Sequence, residues 1–164
     1  MKKIFLIVGL ILFTSIQLSA LEKIPELNRQ IVEYVKTVIG KKVDRGECWD
    51  LAYQALERVN ADWDKAFVYG DPVNPKKDEI FPGDIIQFEN VVIKYKKGNA
   101  YYTETMEQHT AIVYNVKDKG VYEIAHQNTQ FSGRKVGVST LDINTVVDGK
   151  MYFYRPTQKL NSNE

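Results

Sequence analysis

The hydrophobic period of this chain changes once, at Gly83. Before that residue, apolar side chains recur every three or four positions; after it, every second position. Leu27, Ile31, Val35 and Val38 predict a helix over Pro25 to Ile39, stopped by Gly40. Cys48, Leu51, Ala52, Ala55, Leu56 and Val59 form the stripe of a second helix, from about Cys48 to Asn60, with Asp44 and Gly46 as start signals. Ala61 to Pro82 reads as connection. Downstream, Ile85 to Phe88, Val91 to Tyr95, Ala100 to Thr105, Thr110 to Val116, Val121 to His126, Lys135 to Val138 and Met151 to Tyr154 all read as strands. Lys96-Lys97-Gly98-Asn99 and Lys117-Asp118-Lys119-Gly120 read as hairpin turns. Helices first and an antiparallel sheet afterwards is an α+β arrangement, with the N-terminal helices packed on the sheet.

The first twenty residues have the make-up of a secretory leader. Lys2 and Lys3 carry charge, Ile4 to Ile16 are largely apolar, and Gln17-Leu18-Ser19-Ala20 provides a small-residue exit. Uncleaved, the same stretch would serve as an anchor. Cleavage after Ala20 leaves no membrane span and a secreted or periplasmic protein. Residues 21–156 then form one domain, large enough to bury about two-thirds of its unfolded surface, and 157–164 form a polar tail. Of the 22 basic residues, Lys2 and Lys3 go with the leader, leaving 20 against 21 acidic ones. A near-zero balance and export both argue against nucleic-acid partners.

Cys48 is the sole cysteine, so an internal disulfide is excluded. Its place is a helix start, where unpaired backbone N–H groups favour a thiolate. A neighbouring imidazolium would lower the thiol pKa further. The two histidines, His109 and His126, both fall in strand-like runs. If Val116 pairs with Val121 across a tight hairpin, His109 lies opposite Asn128 and diagonal to His126. Opposed Cβ atoms sit about 5 Å apart and diagonal ones about 7–8 Å. Either His126 or Asn128 is therefore a candidate to orient His109, the role of the third group in such sites. The rival readings are a cysteine that merely fills the core and a zinc site built from Cys48, His109, His126 and Asp84. No short ligand spacing supports the zinc reading, and neither metal nor cofactor is expected.

The ordered segments Gly46-Glu47-Cys48-Trp49, Phe67-Val68-Tyr69-Gly70, Pro82-Gly83-Asp84-Ile85-Ile86-Gln87-Phe88, His109-Thr110-Ala111-Ile112-Val113 and His126-Gln127-Asn128 resemble papain-like cysteine hydrolases of the CHAP and NlpC type. The resemblance spans roughly residues 44 to 130. It implies a papain-like fold, Cys48 as nucleophile and His109 as base. His126 stands where CHAP domains commonly carry glutamate and where the NlpC branch carries histidine; Asn128 matches the CHAP asparagine. The Gly-Glu-Cys-Trp segment is also similar to a cysteine-proteinase-fold domain found at the end of some fungal cytoskeletal adaptors. The hairpin Val91 to Thr105 is an insertion relative to this pattern.

The expected function is that of an exported cysteine hydrolase cleaving amide bonds, with cell-wall peptide or peptidoglycan as substrate. Trp49, Trp63 and Tyr69 are the expected substrate contacts. The alternatives are a thiol-dependent acyltransferase and a non-catalytic binder that grips glycan or peptide with aromatics such as Tyr101 and Tyr102.

Overall fold

The computed structural model describes residues 23–159. The expected leader and the last residues of the expected tail lie outside them. Helix α1 (Glu26–Val38) and helix α2 (Cys48–Arg58) come first. Eight strands follow: β1 (Ala61–Asp62), β2 (Asp71–Val73), β3 (Ile85–Lys97), β4 (Ala100–Asp118), β5 (Val121–His126), β6 (Gly137–Asp142), β7 (Val146–Arg155) and β8 (Thr157–Gln158). Six of them form an antiparallel sheet in the order β2-β7-β3-β4-β5-β6. Strands β1 and β8 pair separately, so the ordered domain runs past residue 156 into the expected tail.

The sheet is buried on both faces through its centre. Ile85, Ile112 and Ala125 face the helices and join Ile31, Val35, Leu51, Ala55 and Leu56 in one core. Ile86, Phe88, Ala111, Val113, Tyr122, Ile124, Leu141 and Phe153 form a second core on the other face. Each fully buried side chain of this size contributes about 1.5–3 kcal/mol of transfer free energy. Tyr122 on β5 and Phe153 on β7 have ring centroids 5.8 Å apart, although two strands lie between theirs in the sheet. The sheet therefore curls around the second core, and Thr110 to Val113 are all buried although consecutive. Among the described residues, no helix is long and apolar enough to cross a membrane.

The segments read as two strands each on either side of residues 98–99 are two long strands. β3 continues through Asn90, which takes φ +51°, and its register against β7 shifts between Glu89 and Val92. β4 runs unbroken past residues 106–109 because each pairs with or flanks a β3 partner. The last expected strand before β7 begins two residues later than its apolar pattern suggests. Val136 is captured instead by the chain leaving α1, donating to the Lys41 carbonyl and accepting from Gly40.

Candidate active site

Cys48 is the first residue of α2. Glu47 precedes it in extended conformation, and its N–H donates to Asp50 Oδ2 at 3.0 Å. Arg45 pairs with the other oxygen of Asp50 at 2.6 Å. Gln127 fixes the approach to the helix from the sheet side. Its side chain accepts from the Val43 N–H and donates to the carbonyls of Val43 and Glu47. The thiol is thus presented by a short helix start whose preceding loop is bonded to the end of β5.

On β4, the backbone amide of Thr110, the residue directly after His109, favours the Cys48 thiolate. The amides of Trp49 and of Cys48 itself also favour the thiolate, as a helix start should. Burial acts the other way and wins: it raises the Cys48 thiol above its ordinary value, and the nearby Glu47 carboxylate adds to the rise. The expectation of a thiol lowered at rest is therefore corrected. Desolvation outweighs the helix start, and no imidazolium is present to assist.

His109 shares strand parity with Ala111 and Val113, and its ring lies 5.9 Å from that of Phe88 in the second core. His109 Nε2 is 2.8 Å from His126 Nδ1. His126 Nε2 is 2.9 Å from Ser139 Oγ. Nδ1 of His109 makes no hydrogen bond among the described residues, so it is the nitrogen left for a reacting group. Both rings are nearly inaccessible; burial lowers His109 to about 4, and burial together with the neighbouring His109 lowers His126 to about 3. At rest the thiol and both imidazoles are neutral.

The structure brings His126 to His109 and sends Asn128 elsewhere. The pairs Ile112↔Ala125 and Val113↔Ile124 set the register near the site, and continuing it places His109 level with Asn128. β5 ends at His126, however, and Asn128 takes φ +61°. Its amide then donates to Glu47 Oε2 at 2.8 Å, supporting the residue before the thiol. The diagonal ring, His126, is the one that reaches His109.

Two of the three expected substrate contacts are core residues. Tyr69 is 0 % exposed; its hydroxyl donates to Gln87 Oε1 and shares a bond with Thr110 Oγ1. Burial raises its pKa well above the ordinary value. Trp63 is 8 % exposed, stacks on Tyr69 and donates to Glu57. Neither can meet a ligand without unpacking the helical core. Trp49 is only partly buried; its indole donates to the Ala66 carbonyl and its ring tilts against Tyr53 and Trp63. The same loop exposes Phe67 and Val68. Tyr101 is exposed at the far end of the β3–β4 hairpin, beside Lys96. It lies eight positions from His109 along β4, about 26 Å at ~3.3 Å per residue.

Sequence reasoning missed Gln127, Ser139 and Phe131 as neighbours of the site. Phe131 is exposed, and its ring lies 5.4 Å from that of His126. A Cβ at Gly137 would come within 2.5 Å of Phe131, so the glycine opposite His126 makes room for it. The Gly-Asp pair before β3 plays a supporting part. Asp84 accepts from Asn28, from the Phe81 amide and from Arg155. That full set of partners removes Asp84 from the rival zinc reading; among the described residues no cluster of three or more His, Cys, Asp or Glu is placed to hold a metal. Two concavities, of about 440 Å³ beside Tyr34, Lys41 and Arg58 and about 510 Å³ beside Ile24, Phe81 and Tyr122, are not lined by Cys48 or either histidine.

A thiol at a helix start, set against an antiparallel sheet that carries an imidazole pair, defines a small α+β domain of the cysteine proteinase fold. The chain belongs to the AIM3/BBC1 cysteine proteinase-fold domain family, which it matches over residues 17–163. No curated protein matches it. Among solved structures, one described as the crystal structure of Ly7917 is similar at 15% identity and a TM-score of 0.48, covering 79% of this chain; the chain spans 62% of that protein's length.

Proposed function

We propose that this protein is an exported cysteine hydrolase of the CHAP/NlpC type, secreted or periplasmic, that cleaves amide bonds in peptides, with cell-wall peptide as the substrate class. The observation that carries the reading is the bond from His109 Nε2 to His126 Nδ1. It engages the far side of the imidazole and leaves Nδ1, the nitrogen nearer the backbone, without a partner among the described residues, on the residue next to Thr110, whose amide favours the Cys48 thiolate.

Because the pair rests neutral, the proton moves during attack rather than before it. His109 Nδ1 takes the thiol proton as the sulfur bonds to the substrate carbonyl carbon. The carbonyl oxygen gains the electron pair and is met by the N–H of Cys48; one such donor is typically worth about 10²–10³ in rate. His109 then gives its proton to the leaving amine as the C–N bond breaks. Water, deprotonated by the same nitrogen, opens the thioester and the thiol is restored. Nδ1 and the sulfur must come within hydrogen-bond reach for the first step, a tightening that substrate binding commonly brings. An amine taking the place of water would make the same site an acyltransferase.

A second reading, a non-catalytic binding domain, is favoured by one specific observation: Cys48 is partly buried, and burial outweighs the backbone amides that favour the thiolate and holds it as thiol. Incubation with defined muropeptides and with unrelated peptides, followed by mass spectrometry of the products, tests the proposal. Cleavage by the wild type and none by Cys48→Ala is the expected result. Equal behaviour of the two proteins, whether as turnover or as binding alone, would reject it.

A further inference from the structure

The hydrogen-bonded chain does not stop at the second histidine, and its far end determines what the near end can do. On β5, His126 lies opposite Gly137, which offers no side chain. Ser139, opposite Ile124, is the diagonal neighbour, and its hydroxyl is 2.9 Å from His126 Nε2. Ser139 is partly exposed and makes no other side-chain hydrogen bond among the described residues, so its own proton is free to point to water. Three groups on three adjacent strands are thus wired in series.

A neutral imidazole has one N–H and one bare nitrogen. The series therefore has two possible directions. In one, Ser139 donates to His126, His126 Nδ1–H donates to His109 Nε2, and His109 carries its proton on Nδ1. A nitrogen already protonated cannot take the thiol proton. In the other, His126 Nε2–H donates to Ser139, His126 Nδ1 accepts from His109 Nε2–H, and His109 Nδ1 is bare. This second direction also survives proton uptake, because an imidazolium still donates from Nε2 to His126.

We propose that Ser139 is a positioning residue: by accepting from His126 Nε2–H it sets the direction of the His126–His109 chain and keeps His109 Nδ1 bare as the base. It touches neither substrate nor sulfur. The inference rests on the hydrolase reading above for its consequence, but the proton placement can be read without turnover.

The test is long-range ¹H–¹⁵N correlation spectroscopy of the ¹⁵N-labelled protein at neutral pH, which identifies the protonated nitrogen of each imidazole. The expected wild-type result is Nε2–H on both histidines. Ser139→Thr, which keeps a hydroxyl, should retain that pattern. Ser139→Ala should give mixed tautomers at His126 and lower kcat about tenfold, the scale of one hydrogen bond, with KM unchanged. Nδ1–H on His126 in the wild type, or identical tautomers in wild type and Ser139→Ala, would overturn the proposal. The wild-type spectrum decides even where the alanine variant fails to fold. Correct tautomers without turnover in any assay would sustain the wiring and reject the hydrolase reading, so the two failures are distinguishable.

Discussion

His109 Nε2 and His126 Nδ1 lie 2.8 Å apart across β4 and β5, joining two rings that burial keeps neutral. The bond is made by the diagonal neighbour rather than the residue level with His109. It ties the proposed base to the sheet and gives the site a distinct response to acid.

Acid should destabilise the domain through this pair. Unfolded imidazoles titrate near ~6.5, whereas the folded ones do so at about 4 and about 3. Between those values the unfolded chain binds more protons. The stability they contribute is therefore complete above ~6.5 and is lost as pH falls toward the folded values, at up to about 1.4 kcal/mol per pH unit for each histidine. Urea midpoints measured from pH 7 to pH 4 should fall, and His109→Gln/His126→Gln should flatten the slope. An unchanged slope in the double variant would contradict neutral burial of the rings.

The resting thiol should be slow toward alkylation. Burial raises it and both imidazoles are uncharged, so the rate with iodoacetamide should climb with pH beyond the range of a free thiol. A rate plateau extending below pH 7 would instead reveal a preformed thiolate–imidazolium pair.

Tyr69→Phe separates packing from recognition. The variant loses the hydroxyl that bridges Gln87 and Thr110, at a cost of about 0.5–1.5 kcal/mol. Thermal or urea unfolding should show that loss while KM for a cleaved peptide stays unchanged. A large rise in KM without a stability change would restore Tyr69 as a substrate contact.

The two helices, the α+β order and the placing of a cysteine at a helix start and of two histidines on neighbouring strands were legible because period and residue type are local properties. The stripe through Leu51, Ala55 and Leu56 marks the buried face of α2 within one residue of its true start. What the sequence concealed depended on distant partners. Trp63 and Tyr69 sit in a segment rich in turn residues, where nothing local tells a core aromatic from an exposed one; their burial comes from α2, β3 and β7. The bond between Ser139 and His126 required the register of β6, and that strand begins only after Val136 has been drawn off by the end of α1. The tight-hairpin premise fails, because Val116 pairs with Tyr122 and Asp118 with Val121; two register shifts then bring Asn128 level with His109, and its left-handed backbone turns the side chain to Glu47.

Gly83 should not tolerate a side chain. It takes φ +93°, and a Cβ there would lie 2.5 Å from the Asn28 carbonyl of α1. Its N–H also donates to Val113. Gly83→Ala should lose at least about 1–3 kcal/mol from the strained backbone alone, read as a lower urea midpoint. An unaffected midpoint would mean that α1 does not press on the Gly-Asp turn.

The most direct measurement is intact-protein mass spectrometry of enzyme quenched in acid during turnover of an activated peptide ester, followed by peptide mapping. The account predicts an acyl adduct on Cys48 in the wild type, no adduct in Cys48→Ala, and slower adduct formation in His109→Ala. Turnover that proceeds unchanged in Cys48→Ala, with no modified cysteine in the wild type, would contradict it.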